Sequence, residues 1–308
     1  MTNPPHDRGA PRPDLLAPRE LRGLGGLEYV ARTVVEGFLT GLHRSPHRGF
    51  SVEFAEHRAY QPGDDLRYMD WRMVARTDRY FVKQFEEETN LRAFLLLDAS
   101  ASMGWSSDPE AIPTKLWYAK QLAAALAFLL LRQGDAVGAL SFDEAVRDRV
   151  AARGGRKHWL EIGRLLERAR GTGETGAGTA LRDAAQMLRR RGLVILLSDL
   201  LVDAEETRLA LRYLRHRGHE VLVFHLLDPG ERELPGVGDA RFYDPETGEE
   251  LPVTIADLRS EYRESVAGAI ADWRRSLAPH GIDYVLLDTS LPFVHGLREY
   301  MRKRQRLA

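Results

Sequence analysis

Oxygen-bearing side chains follow an apolar run in the first third of the chain. The stretch FLLLDASAS, residues 94–102, places Asp98, Ser100 and Ser102 directly after four apolar residues. If the apolar run is a strand, two-residue spacing at its end lets alternate side chains point at one position. A carboxylate beside hydroxyl groups offers the oxygen ligands that a hard cation such as Mg²⁺ prefers. This stretch therefore predicts part of a metal site.

Two further oxygen donors come later in the chain. Thr179 ends the glycine-rich stretch GTGETGAGT, residues 171–179, and Asp199 directly follows the apolar run LVILLS, residues 193–198. With the first three residues they give two carboxylates and three hydroxyl groups. Mg²⁺ takes about six oxygens in octahedral geometry and keeps several waters, and Mn²⁺ accepts the same kind of ligand. The predicted site therefore leaves room for water or for an acidic group from a partner.

A parallel sheet must position these residues, because apolar runs alternate with amphipathic helical stretches from residue 92 onward. Continuous apolar strands separated by helices are typical of an α/β sheet that is covered on both faces. The carboxyl ends of such strands form the edge at which ligands bind, and all the apolar runs end at an aspartate. These runs are AFLLLD, AVGALSFD, LVILLSD, VLVFHLLD and DYVLLD. Helices are predicted at about 114–133, 156–169, 179–191, 203–217 and 258–279.

Three regions are predicted along the chain. Residues 1–20 are Pro-rich and polar, and we expect a disordered tail because they cannot bury enough apolar surface to offset ordering. Residues 21–91 are predicted to form an N-terminal region with a helix followed by strands. Residues 92–308 are predicted to form the α/β domain. Within it, the stretches ARFYD and EELPV flank the turn signal PETG, which predicts an inserted β-hairpin near residues 240–253.

Composition argues against several classes of function. The 44 basic and 45 acidic residues nearly cancel, to a formal net charge of -1, so no overall field favours nucleic acid. The chain has no cysteine, which rules out disulfides, thiolate metal sites and cysteine nucleophiles. Its longest apolar run, residues 122–131, is half of the ~20 residues that a membrane span needs. We therefore expect a cytoplasmic protein that neither binds nucleic acid nor inserts into a membrane.

The order of DASAS, threonine and aspartate resembles the metal-ion-dependent adhesion site of von Willebrand factor A domains, D-x-S-x-S…T…D. The matching positions in this sequence are Asp98, Ser100, Ser102, Thr179 and Asp199. The resemblance implies a Rossmann-like, doubly wound, mostly parallel sheet. It also implies a bound divalent cation, usually Mg²⁺, whose open position takes a carboxylate from a bound protein. Leu200 departs from the pattern, since many such domains place glycine after the last aspartate.

Longer stretches are similar to a bacterial family, domain of unknown function 58. They include RAYQPGDDLRYMDWRMVART, FEEE, LDPGERELP and YMRKR, and together they cover about residues 45–305. Members of this family are generally linked with MoxR-type AAA+ ATPases. The resemblance therefore implies an adaptor between such an ATPase and a client protein that presents an acidic motif.

Other interpretations of the same residues stay open. Asp98 could be an ordinary strand-end aspartate, and Thr179 could serve only as the N-cap of its helix. The alternative function is a Mg²⁺-dependent phosphatase or phosphotransferase with Asp98 as nucleophile. Haloacid-dehalogenase-type enzymes resemble this chain in a strand that ends in aspartate, but they carry D-x-D-x-T. Ser100 stands where they place the general acid, and an alcohol is too weakly acidic for that role. We therefore predict a non-enzymatic, metal-dependent interaction module.

Overall fold

The computed structural model describes most of the chain after residue 91 and shorter parts before it. The described residues are 18–21, 26–43, 57–59, 69, 74–76, 79–83, 91–155, 157–171, 177–188, 190–201, 203–236, 238–243 and 250–305. Contacts between residues divide the chain into two compact units. One unit contains residues 1–39 and 91–308, and the other contains residues 40–90. The candidate site belongs to the first unit.

Helices and strands are interspersed along the described parts of the chain. In chain order the elements are α1 (Pro18–Leu21), α2 (Leu27–His43), β1 (His57–Ala59), β2 (Phe81–Lys83), β3 (Arg92–Asp98), α3 (Lys115–Arg132), β4 (Ala136–Phe142), β5 (Val146–Arg153), α4 (His158–Arg168), α5 (Ala177–Met187), β6 (Leu193–Ser198), α6 (Ala204–His216), β7 (Glu220–Leu227), α7 (Pro229–Glu233), β8 (Asp239–Tyr243), β9 (Glu250–Thr254), α8 (Ile255–Leu277), β10 (Ile282–Asp288) and α9 (Val294–Gln305). In the second unit, β1 and β2 form an antiparallel pair.

Six strands form the central sheet, in the order β10-β7-β6-β3-β4-β5. All neighbouring pairs are parallel except β4 with β5, which is antiparallel. Strands β4, β6 and β7 are buried along nearly their whole length, as expected of apolar strands covered on both faces. The edge strand β5 instead alternates between half-buried and exposed residues. The prediction of an α/β protein with a mostly parallel sheet is confirmed.

The strand order reverses between β3 and β6. From β3 the chain moves to β4 on one side, and it later returns to β6 on the other side before continuing to β7 and β10. Open α/β sheets bind ligands at the carboxyl ends of the strands beside such a reversal. The stretches that carry Asp98 and Asp199 begin at these two strand ends, so the topology brings the predicted ligands to the expected place.

The helices pack on the sheet in groups. Helices α5, α6 and α8 share a core cluster with sheet residues that include Leu96, Leu196 and Val223. Helix α3 contacts α4, α9 and the strands β3, β4, β6 and β7. Its start is fixed by Thr114, whose side chain accepts a hydrogen bond of 3.1 Å from the backbone N of Trp117. This cap sets the position of Lys115, the first residue of the helix.

Some sequence predictions fall at the edge of the described residues. Strands β8 and β9 pair antiparallel over the segment 240–253, in which the sequence predicts a hairpin. Of the predicted tail, residues 1–17 lie outside the described residues, whereas residues 18–20 belong to α1 and are therefore helical. The stretch RAYQPGDDLRYMDWRMVART, residues 58–77, lies mostly outside them. In the part of the chain that is described, no helix has both the length and the apolar character of a membrane span.

Candidate metal site

The ends of β3 and β6 bring four of the five predicted ligands into one buried cluster. The Ser100 backbone N donates to Asp98 Oδ1 at 3.0 Å, and the hydroxyl oxygens of Ser100 and Ser102 lie 3.1 Å apart. The Ser102 hydroxyl is close enough to Asp199 to help lower the pKa of that carboxyl group. Asp98, Ser100 and Asp199 are fully buried, and Ser102 is 7% exposed. We call these four residues the oxygen cluster.

A serine of β6 that the sequence analysis did not single out completes the bonding of Asp98. Because β3 and β6 are parallel, with Leu97 opposite Leu197, Ser198 lies level with Asp98. The Ser198 hydroxyl donates to Asp98 Oδ2 at 2.6 Å. Both carboxylate oxygens of Asp98 therefore accept a hydrogen bond from the protein.

The turn after Asp199 requires left-handed backbone at Leu200, which has φ of 54°. A non-glycine residue in this conformation costs about 1–2 kcal/mol. Two features hold it there. The backbone N of Leu200 donates to Ser198 Oγ at 3.0 Å, and its side chain is buried in the core cluster. Leu200 therefore adopts the left-handed conformation that glycine, the residue expected at this position, adopts most easily.

Thr179 is the fifth predicted ligand. It is exposed, in the first turn of α5, and within the described residues no hydrogen bond joins it to the other four. The start of the glycine-rich stretch does reach the cluster. A Cβ atom on Gly171 would lie 3.0 Å from the backbone of Gly104 and 3.3 Å from the carbonyl oxygen of Ser100. Residues 172–176, which connect Gly171 to α5, are outside the described residues.

A buried lysine, which the sequence analysis did not identify, contacts the oxygen cluster. Lys115 is fully buried, and its Nζ donates to Asp199 Oδ2 at 2.7 Å. The same ammonium group forms an ion pair with Glu231 Oε1 in helix α7. Lys115 therefore connects a predicted metal ligand to a carboxylate on helix α7.

Glu231 is itself part of a capping box at the start of α7. Its Oε2 accepts from the backbone N of Asp228 at 2.9 Å, and Asp228 Oδ1 accepts from the backbone N of Gly230 at 2.7 Å. Asp228 also accepts hydrogen bonds from the backbone N and the hydroxyl of Ser107. Because Ser107 follows the serines of the oxygen cluster along the chain, the capping box holds the loop that carries them.

Burial and mutual repulsion shape the electrostatics of the cluster. Burial, followed by the negative charge of Asp199, raises the pKa of Asp98 to about 7. Burial would also raise the pKa of Asp199, but the charge and hydrogen bond of Lys115 lower it below its ordinary value. Burial opposes the charged form of Lys115, yet Asp199 and Glu231 together raise its pKa. Near pH 7 the cluster therefore holds Asp199 ionised and Asp98 partly protonated, with Lys115 as the cation next to Asp199.

The donor set of the cluster suits a hard divalent cation. Its members offer carboxylate and hydroxyl oxygens, with no sulfur or nitrogen ligand, which is the chemistry that Mg²⁺ and Mn²⁺ select. Across the described residues, no group of three or more His, Cys, Asp or Glu side chains is arranged to hold a metal ion. Any cation bound here would therefore depend on the hydroxyl groups of Ser100 and Ser102 as well as on the carboxylates.

Large apolar side chains are exposed next to both halves of the cluster. Trp105 follows Ser102 by three positions and is 41% exposed. Leu201 follows Asp199 by two positions and is 54% exposed, while its backbone N donates to Asp199 Oδ1 at 3.2 Å. Exposed aromatic and apolar side chains beside a polar site are typical of surfaces that bind other proteins.

Fold and site together define an α/β protein whose mostly parallel sheet carries a buried cluster of carboxylates and hydroxyl groups at the ends of two central strands. The chain belongs to the family described as protein of unknown function DUF58, which matches residues 56–271.

Relatives and similar structures of this chain carry few functional names. The uncharacterized proteins Rv1480 of Mycobacterium tuberculosis and Mb1516 of Mycobacterium bovis are each 33% identical over 300 residues, which cover 96% of this chain and 93% of theirs. Among solved structures, the conserved hypothetical protein BatB from Bacteroides thetaiotaomicron is 16% identical, with a TM-score of 0.45, over 70% of this chain and 99% of its own. An aerotolerance-related membrane protein from Bacteroides fragilis is 17% identical, with a TM-score of 0.44, over 69% and 99%.

Proposed function

We propose that this protein is a non-enzymatic, metal-dependent interaction module of von Willebrand factor A type. In this proposal Mg²⁺ or Mn²⁺ is held by the oxygen cluster, and Thr179 contributes its hydroxyl group. The observation that carries the proposal is the convergence of Asp98 and Asp199 with two serine hydroxyls at the reversal of the strand order. A bound cation would offer an open coordination position to a carboxylate from another protein.

The charge of the cluster supports a cation. Asp98, Asp199 and Glu231 carry up to three negative charges, and within the described residues Lys115 is the cation that pairs with Asp199 and Glu231. Buried carboxylates are costly unless paired with positive charge. A divalent cation would supply the missing charge and would favour ionised Asp98, which the metal-free cluster disfavours.

The exposed apolar side chains support a protein as the ligand. Trp105 and Leu201 lie beside the two strand ends, so a partner that presents a carboxylate to the cation would also cover apolar surface. We propose an acidic-motif client as this partner, with a MoxR-type AAA+ ATPase as the protein that the module links to it.

The alternative of a phosphatase or phosphotransferase has less support. The general acid of such enzymes has no counterpart at Ser100, whose hydroxyl oxygen instead lies beside that of Ser102. We therefore propose binding rather than catalysis.

Calorimetric titration of the metal-stripped protein with Mg²⁺ and Mn²⁺ tests the proposal. Asp98→Asn removes the charge of one proposed ligand and preserves its shape. Asp143→Asn is the matched control, since Asp143 also follows a strand of the same sheet but forms an ion pair with Arg147 at 2.6 Å. We expect one-site binding in the wild type and in the Asp143 variant, and loss of binding in the Asp98 variant.

A second measurement tests the partner. Glutamate-containing peptides and a MoxR-type AAA+ ATPase from the same organism would be assayed for binding with Mg²⁺ and with EDTA. Capture that requires Mg²⁺ and fails in Asp98→Asn supports docking through the cation. Failure of the folded wild type to bind either metal, both alone and with the ATPase present, would contradict the proposed function.

A further inference from the structure

The ammonium group of Lys115 contacts a carboxylate that a cation bound in the oxygen cluster would use as a ligand. Its Nζ is 2.7 Å from Asp199 Oδ2, and the side chain is fully buried. The same ammonium group also forms an ion pair with Glu231. Within the described residues, no other lysine or arginine forms an ion pair with Asp98, Asp199 or Glu231.

We infer that Lys115 is a built-in competitor of the divalent cation, which sets the metal affinity of the cluster and connects metal binding to helix α7. The inference rests on the proposed function, because it concerns the affinity of the same site. It assigns to Lys115 a role that neither the five-residue motif nor the family description contains.

Competition follows from the geometry of Asp199. One of its oxygens, Oδ1, accepts from the backbone N of Leu201, and the other, Oδ2, accepts from Lys115. A cation bound to either oxygen of Asp199 would lie close to the ammonium, and a cation on Oδ2 would share that oxygen with the ammonium or displace it. Two positive charges on one buried carboxylate repel each other strongly, because the protein interior screens charge poorly. Metal binding is therefore weaker with Lys115 in this position than without it.

Glu231 gives the displaced ammonium an alternative partner. The carboxylate of Glu231 is 16% exposed and already pairs with Lys115, so the lysine can move away from Asp199 without losing its counter-ion. The same carboxylate closes the capping box with Asp228, which holds Ser107. A shift of Lys115 toward Glu231 would therefore also affect the positions of the α7 turn and of the loop that follows the cluster serines.

A simple structural ion pair would have a different signature. If Lys115 only neutralised Asp199 and Glu231, its removal would destabilise the fold and leave metal affinity unchanged or lower. If it competes with the cation, its removal raises metal affinity, because the negative cluster then has no other counter-ion. The two roles are thus separated by the sign of the change in affinity.

The experiment compares Lys115→Met with the wild type by calorimetric Mg²⁺ titration and by thermal unfolding with and without Mg²⁺. Lys120→Met is the matched control, since Lys120 lies on the same helix and is partly buried, but its ammonium donates to the carbonyl oxygen of Ala169. We expect Lys115→Met to bind Mg²⁺ at least about tenfold more tightly than the wild type, because one like charge next to the cation is removed. Lys120→Met should stay within about twofold of the wild type.

Thermal unfolding supplies a readout that does not depend on partner binding. Lys115→Met should unfold at a lower temperature than the wild type in EDTA, and Mg²⁺ should raise its Tm more than it raises that of the wild type. Should this variant fail to fold, the double variant Lys115→Met with Glu231→Gln removes one positive and one negative charge together. It leaves the net charge of the cluster unchanged and is expected to show a smaller gain in affinity, because Asp199 Oδ2 is freed while the negative charge of Glu231 is lost.

The outcomes separate the inference from the function on which it rests. Tighter binding in the lysine variants supports the inference, including the case in which only they bind. Binding in the wild type with equal or weaker affinity in the variants overturns the inference and leaves the proposed function standing. Absence of Mg²⁺ binding from the wild type and from both folded variants overturns both.

Discussion

Asp98→Asn should make the metal-free protein more stable at pH 8 than the wild type. Asp98 is fully buried, and burial together with the charge of Asp199 raises its pKa from 3.8 to about 7. The folded protein therefore keeps the proton of Asp98 in a pH range in which the unfolded chain has released it. Stability from this group is complete below pH 4 and is lost as the pH rises to about 7.

The size of the expected stabilisation follows from the shift in the pKa of Asp98. A pKa change of about 3 units, at about 1.4 kcal/mol per unit, corresponds to about 4 kcal/mol at pH 8. Asparagine avoids this cost, but its amide N faces either the backbone N of Ser100 or the hydroxyl of Ser198, which were donors to the carboxylate. One lost hydrogen bond costs about 1 kcal/mol. We therefore expect a net gain of about 3 kcal/mol in the free energy of unfolding of Asp98→Asn at pH 8.

Urea denaturation in EDTA between pH 4.5 and 8 measures this gain as the difference between wild type and variant. The difference is needed because His225, whose burial lowers its pKa to about 4, contributes stability that rises with pH in the same range. His225 is present in both proteins, so its contribution largely cancels. Asp143→Asn serves as the control. Equal or lower stability of Asp98→Asn at pH 8, or a difference that does not change with pH, would refute the reasoning.

Three further substitutions test how the fold holds the site, each by urea denaturation at pH 7. Gly192→Ala should destabilise the fold by more than about 2 kcal/mol, since the new Cβ would lie 2.2 Å from the carbonyl oxygen of Arg92. Gly268→Ala, in a helix with open space around it, is its control and should be neutral or stabilising. Leu200→Gly should destabilise by about 1–3 kcal/mol, because the lost burial of leucine exceeds the relief of left-handed strain. Asp228→Ala should cost about 2–3 kcal/mol, since it removes a buried helix cap.

These three results would contradict the structure in different ways. A neutral Gly192→Ala would mean that β6 does not begin as close to β3 as described. A stabilising Leu200→Gly would mean that strain outweighs packing at the turn after Asp199. A neutral Asp228→Ala would mean that the α7 turn does not depend on its cap, which would also weaken the link between Lys115 and Ser107.

The central sheet could be predicted from the sequence because its parallel strands are continuous apolar runs. Each apolar run that was singled out became a parallel strand, and the predicted helices appear as α3, α4, α5, α6 and α8 within a few residues. Burial on both faces makes such strands continuously apolar, so the pattern is local. Strand β5 and helix α9 were not predicted. β5 is an edge strand with alternating exposure, and α9 is rich in charged residues.

The oxygen cluster was only partly predictable, because only those of its residues and neighbours that belong to a local sequence pattern can be recognised. Asp98, Ser100 and Ser102 are adjacent in sequence, and Asp199 follows an apolar strand, so both carry a local signal. Lys115 carries none. It looks like an ordinary first-turn residue of an apolar helix.

The role of Lys115 exists only in three dimensions, because its carboxylate partners Asp199 and Glu231 lie 84 and 116 positions away. A sequence motif identifies which oxygen ligands come together. The charged groups next to these oxygens depend on which other residues the fold buries there. For this chain the fold buries an ammonium group. We therefore expect the affinity of the proposed site for a divalent cation to depend on a residue that no ligand motif contains.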